Sequence, residues 1–187
     1  MNIINKINLI IKYISKIIFK IPISGGLGKA FNLLAYERYM HYIIWYYNWL
    51  GVNIHRHQTY ISPDVYFDSA DFTKITIEEN CTISREVLFL VHDYSVHLPM
   101  VNIGAEFSKG QVAHFIKPIK IGSDTFIGAR ASILPGTTIG NNCIIGTAAV
   151  VKGNIPNNSI VVGNPGKVIM NTEIWAKGKL LKKDWIV

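Results

Sequence analysis

The sequence predicts a mainly β protein built on a parallel β-helix of hexapeptide repeats, with an α-helical extension before it and a short helix after it. Three observations carry this. Every sixth residue from Ile121 is aliphatic: Ile121, Ile127, Ile133, Ile139, Ile145 and Val151. Four positions after each stand Thr125, Ala131, Thr137, Cys143, Ala149 and Ile155, nearly all small. Gly122, Gly128, Gly140 and Gly146 each directly follow an aliphatic residue of the series. An amphipathic helix needs apolar residues three and four apart and an ordinary strand needs alternation, so neither explains a period of six. In a hexapeptide coil each hexad is one short strand plus a tight turn, and three hexads close a triangular turn of the prism. The aliphatic residue then points inward, the small residue sits near a corner, and glycine relieves crowding where the backbone bends.

Length and composition agree with this. The 187 residues suit one domain with an appendage, and 49% apolar content is enough for a continuous core. The net charge of +7 is spread along the chain, which favours an anionic partner without choosing among nucleic acid, lipid headgroups and a phosphorylated small molecule. No recognised nucleic-acid module is present, so nucleic acid is not expected as a partner. Cys143 occupies the small slot of its hexad, and Cys81 the same slot after Ile77. Both read as small core residues on different coils, not as a disulfide pair or a catalytic thiol, in a reducing cytoplasmic compartment.

The elements follow in order. Residues 1–52 form the helical extension. Within it, residues 1–21 carry Ile3, Ile7, Ile10, Ile14, Ile17 and Ile21 at helical spacing, while Lys6, Lys12, Lys16 and Lys20 break any run long enough to span a bilayer. This basic amphipathic helix either packs on a subunit or lies peripherally on an anionic membrane face. A secretory signal is not expected, since the apolar run is broken. Pro22, Gly25, Gly26 and Gly28 mark a linker, and no strand precedes them as a phosphate-binding loop requires. A second helix over residues 30–50 is dense in aromatics, among them Tyr39, Trp45, Tyr46 and Trp49, which serve mainly to pack it onto the β-helix and across a subunit contact.

The β-helix covers residues 53–170 and starts irregularly. Ile61 and Phe67 are six apart, as are Ile77, Ile83 and Phe89, with an expansion over residues 68–74 between the sets. The repeat breaks at His92 and resumes near Ile119. Breaks this long are functional or disordered loops, and this one is expected as a loop thrown out over residues 93–118 from one corner of the prism. Residues 171–187 are a basic tail with Trp175 and Trp185, expected to pack back as a helix.

The residues Val91-His92-Asp93-Tyr94-Ser95 at the opening of that loop, the regular hexads after it, and the ending Gly163-Asn164-Pro165-Gly166-Lys167 resemble the hexapeptide-repeat O-acetyltransferases that act on galactosides, maltose and surface polysaccharides. The resemblance covers roughly residues 61–170. It implies a left-handed β-helix, three chains packed in parallel as a homotrimer, acetyl-CoA as acyl donor, and a sugar hydroxyl as acceptor. It places the general base on His92, because imidazole can take the proton of a hydroxyl as the oxygen attacks a thioester. It places an oxyanion-binding backbone N–H at Ala129 and contacts to CoA at Thr147, Lys152 and Lys167. Asp93 is expected either to orient the imidazole or to cap the turn. Asp68 and Asp71 match acceptor-contacting positions, although an asparagine is more usual at the first. Met170 stands where a further arginine is frequent.

Three rival readings share parts of this pattern. An amino sugar on a nucleotide carrier would give an N-acetyltransferase. A metal-dependent hydratase of the γ-carbonic anhydrase type would need three histidines such as His92, His97 and His114, but two of these fall within the loop. A non-catalytic scaffold would be favoured by loss of the histidine at the loop junction, which is present. No metal is expected.

Overall fold

The computed structural model describes residues 36–183, 185 and 186. The amphipathic helix expected over residues 1–21, the glycine-rich linker and the start of the second helix lie outside the described residues.

Two- to four-residue strands wind into three parallel sheets. The first joins β1 (Asn53–Ile54), β4 (Ile75–Ile77), β9 (Ile119–Ile121), β12 (Thr138–Ile139) and β15 (Asn154–Ile155). The second joins β2 (Tyr60–Ile61), β5 (Thr82–Ile83), β10 (Phe126–Ile127), β13 (Ile144–Ile145) and β16 (Ser159–Val162). The third joins β3 (Tyr66–Phe67), β6 (Leu88–Phe89), β11 (Ser132–Ile133) and β14 (Val150–Val151). Chain order visits the sheets in rotation, which is a parallel β-helix. Phe126 pairs with Ile144 and Ser132 with Val150, each three hexads on, so the period read from the sequence is one face of the prism.

The inward aliphatics from Ile121 to Val151 are each at most 1% exposed. Thr125, Ala131, Thr137, Cys143 and Ala149 are buried beside them. Buried hydroxyls need acceptors; Thr125 Oγ1 donates to the Gly140 carbonyl at 3.1 Å and Thr137 Oγ1 to that of Leu134 at 2.6 Å. Both cysteines are free and buried, and each thiol lies against a carbonyl of the next coil, Gly122 for Cys81 and Pro156 for Cys143. Burial pushes the Cys81 thiol up to about 11 and raises that of Cys143.

Gly128 shows why glycine follows the aliphatic residue. A Cβ there would lie 2.7 Å from the Thr147 nitrogen of the next coil. The opposite need, a left-handed turn residue, is met at one edge by Asn80, Asp124, Asn142 and Asn158, all at φ between 54° and 59°. Their short polar side chains tolerate this region, and they stack as a ladder in which Asn142 Nδ2 donates to Asn158 Oδ1 at 2.8 Å.

Helix α1 (Tyr36–Leu50) closes the first coil, burying Tyr39, Met40, Ile43, Ile44, Tyr46 and Leu50. Asn48 clamps the end of β1, accepting from the Ile54 amide at 2.7 Å and donating to its carbonyl at 2.9 Å. The aromatics of the helix divide: Tyr39 and Tyr46 pack inward, whereas Trp45 and Trp49 stack on each other on the exposed face. At the other end β17 (Lys167–Asn171) turns back antiparallel on β16, and helix α3 (Thr172–Lys182) follows, capped by Asn171. α2 (His97–Asn102) lies within the loop excursion. Among the described residues no helix is long and apolar enough to cross a membrane.

Candidate active site

The third and first sheets meet at an edge where the regular coil is interrupted twice. In the first coil the expansion after β3 folds into a short 3-10 helix (Phe72–Lys74). In the second coil the chain leaves β6, runs through Val91 into β7 (His92–Asp93), and returns on β8 (Phe115–Ile116), which pairs antiparallel with β7. The excursion expected over residues 93–118 is thus a hairpin that carries α2.

The two interruptions lie one above the other, because β3 and β6 pair Phe67 with Phe89. Asp68 therefore comes beneath His92. Its Oδ2 accepts from the Val91 amide at 2.9 Å, from the His92 amide at 3.2 Å and from His92 Nδ1 at 2.5 Å, and its Oδ1 accepts from the Ala70 amide at 3.0 Å. Asp68 is 1% exposed and His92 29%. Burial pushes the Asp68 carboxyl up, but the amides of Ala70 and Val91 and the His92 ring outweigh it and hold the carboxyl below its ordinary range. An ionised acceptor at Nδ1 requires the tautomer with the proton on that nitrogen. The lone pair of Nε2 is then available at the outer side of the ring. This pair can take a proton from a hydroxyl and bear the resulting positive charge.

The remaining expected site residues are distributed as follows. Asp93, given above as either an orienter or a cap, uses Oδ1 to accept from the Ser95 amide at 2.8 Å. Its carboxyl is lowered chiefly by hydrogen bonds from Ser95, with a smaller contribution from the charge of Lys152. Asp71 caps the 3-10 helix, accepting from the Thr73 amide at 3.0 Å and its hydroxyl at 2.6 Å. Asp68, expected to contact an acceptor, is buried, and four hydrogen bonds turn its carboxylate toward the protein. Lys152 is exposed on the same edge as His92, directly after β14. Ala129 and Thr147 instead lie on the edge between the second and third sheets, on successive coils. There Ala129 borders a cleft of about 470 Å³ lined also by Tyr60, Ser62, Asp64, Ser84 and Arg85. Lys167 is exposed at the start of β17. One chain thus brings together His92, Asp68, Asp93 and Lys152, and leaves Ala129 and Thr147 on another edge.

His97 does not join His92. Its Nδ1 accepts from the Ala113 amide at 3.1 Å and its ring packs on Phe107. Among the described residues no three His, Cys, Asp or Glu side chains converge as a metal site.

Sequence reasoning missed the role of Asp68 behind His92. The signal was present in the pairing of coils: Phe67 and Phe89 occupy equivalent hexad positions, so the residues following them had to stack.

The chain is similar to known proteins in its repeat and in its fold. The bacterial transferase hexapeptide (six repeats) family matches residues 118–153. A Mycobacterium tuberculosis protein named a probable acetyltransferase is 53% identical over 57 residues, 30% of this chain and 19% of that protein. The Bacillus subtilis protein YvoF, also named as an acetyltransferase, is 29% identical over 113 residues, 60% of this chain and 55% of its own length. The chain therefore spans about half or less of the length of these relatives. A Vibrio cholerae hexapeptide-repeat acetyltransferase, solved with acetyl coenzyme A, superposes with a TM-score of 0.51 at 19% identity, covering 65% of this chain and 61% of that one. That likeness is one of fold.

Proposed function

We propose that this chain, which is similar to the hexapeptide-repeat acetyltransferases, is an acetyl-CoA-dependent O-acetyltransferase that acts on a sugar hydroxyl of a surface polysaccharide or its precursor. The observation that carries the reading is the buried Asp68 carboxylate on His92 Nδ1, at the place where the repeat opens into its hairpin. A hydroxyl is a poor nucleophile at neutral pH, and a positioned imidazole removes that obstacle.

In this reading the acceptor hydroxyl donates to His92 Nε2. Its oxygen attacks the thioester carbonyl as the proton passes to the ring. Asp68 stabilises the imidazolium so formed, holding Nδ1–H in place throughout. The tetrahedral oxyanion is met by the backbone N–H of Ala129. Collapse breaks the carbon–sulfur bond, the imidazolium returns its proton to the CoA thiolate, and the ester is released. Asp93 and Asp71 hold turns that border the site. Thr147, Lys152 and Lys167 contact the CoA arm and phosphates, lysine serving as a point charge.

His92 and Ala129 occupy different edges of one prism, so a single chain does not assemble both halves of this mechanism. Packing three prisms in parallel sets one edge against a different edge of the neighbour, a heterologous contact that closes as a ring. In this reading the enzyme is a cytoplasmic homotrimer with sites between subunits, and the basic stretch of residues 1–21 either packs on a subunit or meets an anionic membrane face.

The test is release of CoA thiol in the presence of sugar acceptors. His92→Ala lowers turnover by about 10²–10⁴-fold while acetyl-CoA still binds by calorimetry. Near-normal turnover would remove His92 from the mechanism.

A further inference from the structure

We propose that Tyr94 and His114 form an acceptor platform beside His92 that receives the ring of a pyranose sugar. This rests on the reading of His92 as the base and adds residues that select the acceptor's shape.

The platform follows from the hairpin. In it His92 pairs with Ile116 and Asp93 with Phe115. One further step in the same register sets Tyr94 opposite His114, just beyond the paired strands. The rings meet: their centroids are 4.7 Å apart at 36°. The Tyr94 ring also stands edge-on to His92, 5.0 Å away at 68°. Cross-strand aromatic pairs are favourable in themselves, but this pair is not part of the core. Tyr94 is 48% exposed and His114 is exposed.

Its position is held from both sides. Asp93 closes the turn after Tyr94 through the Ser95 amide at 2.8 Å, and His114 Nδ1 donates to the Val112 carbonyl at 3.0 Å. The latter bond leaves His114 Nε2 as a hydrogen-bond acceptor at the outer end. The base of the hairpin is tied to the prism independently, by the Lys117 amide on the Val91 carbonyl at 2.8 Å. The three rings therefore make a surface that starts at the proposed base and ends in a polar atom.

Sites for small molecules combine apolar or aromatic walls with a few placed polar groups. A pyranose has this character: its axial C–H groups form an apolar face, and its hydroxyls project from the rim. Stacked on Tyr94, such a ring turns its rim toward His92 Nε2 on one side and His114 Nε2 on the other. An acyclic alcohol offers the hydroxyl without the face, so the platform separates the two classes.

The experiment compares the full-length wild type with Tyr94→Ala, Tyr94→Phe and His114→Ala, using acetyl-CoA with methyl glucopyranoside, methyl galactopyranoside or glycerol as acceptor. An aromatic contact contributes about 0.5–1.5 kcal/mol beyond its area, so at about 1.4 kcal/mol per factor of ten each alanine variant loses about 2- to 12-fold more kcat/KM on the pyranosides than on glycerol, chiefly through acceptor KM. Tyr94→Phe keeps the stacking face and restores the pyranoside preference. Equal losses on pyranosides and glycerol would assign Tyr94 to propping His92 and overturn the platform, as would loss of the assembly's mass by light scattering in Tyr94→Ala. A wild type that acetylates glycerol but no pyranoside would overturn the platform and leave acyl transfer standing. One that acetylates none of the three would remove the transfer reading itself.

Discussion

Asp68→Asn tests the center of the proposed mechanism with the smallest change of shape. The carboxylate accepts three hydrogen bonds on Oδ2 and one on Oδ1, all from N–H donors. An amide has one oxygen. Whichever way the substituted side chain turns, its NH₂ faces at least one donor, which costs about 1–3 kcal/mol of stability for the unsatisfied buried group. The second effect is on the reaction. A hydrogen bond to a charged partner contributes about 1.5–3 kcal/mol, and the imidazolium of the transition state loses that contact. At about 1.4 kcal/mol per factor of ten, turnover falls by about 10- to 150-fold, with acetyl-CoA affinity unchanged. The assay is thiol release under saturating acetyl-CoA, with a thermal melt on the same sample to show that the variant is folded. A folded Asp68→Asn protein with wild-type turnover would refute the claim that this carboxylate supports His92. The same residue sets a pH signature of stability. Its folded-state carboxyl is held low, so its contribution is fully present above the ordinary carboxylate value of about 3.9 and is lost as pH falls through the folded value. Wild type therefore loses more stability than Asp68→Asn in acid, measured by urea midpoints below about pH 4.

Two further predictions concern the coil. Gly128→Ala places a methyl 2.7 Å from the Thr147 nitrogen and 2.9 Å from the Gly146 carbonyl carbon, so backbone has to shift; the urea midpoint drops by the equivalent of about 1–3 kcal/mol, and an unchanged midpoint would mean the coils are not in this register. Cys81 and Cys143 are buried with raised thiols, so native protein resists an aromatic disulfide reagent at about pH 8, near the ordinary thiol value, and reacts at both positions once unfolded in guanidinium; fast labelling of native protein would place the thiols outside the prism.

The repeat itself was legible because it reflects a local rule that recurs. Each hexad must offer an aliphatic residue to the axis, a small one near a corner and no Cβ where the next coil comes close. Ile121 through Val151 and Gly128 state that rule in sequence, and the pairing of Phe126 with Ile144 obeys it. The two cysteines were placed for the same reason. His92 was legible because the period stops there, and an interruption in a periodic chain marks a position without reference to any neighbour.

Asp68 and the Tyr94–His114 pair were harder to see, because their roles depend on which chain segments are stacked. The expansion over residues 68–74 obscures the length of the first coil, so only the pairing of Phe67 with Phe89 sets Asp68 beneath His92. Asp93, adjacent in sequence, turns instead to the Ser95 amide. The division of the aromatics in α1, with Tyr39 and Tyr46 inward and Trp45 and Trp49 outward, likewise follows from how the helix lies on the first coil. By itself, then, the sequence determined what its own periodicity enforces: the parallel β-helix, its core and the point where it opens. Tertiary structure decided which carboxylate supports the histidine and which rings flank it. Those depend on contacts between segments about twenty residues or more apart, and hydrogen-bond geometry falls off within about an ångström while sequence spacing at an irregular corner does not specify position that closely.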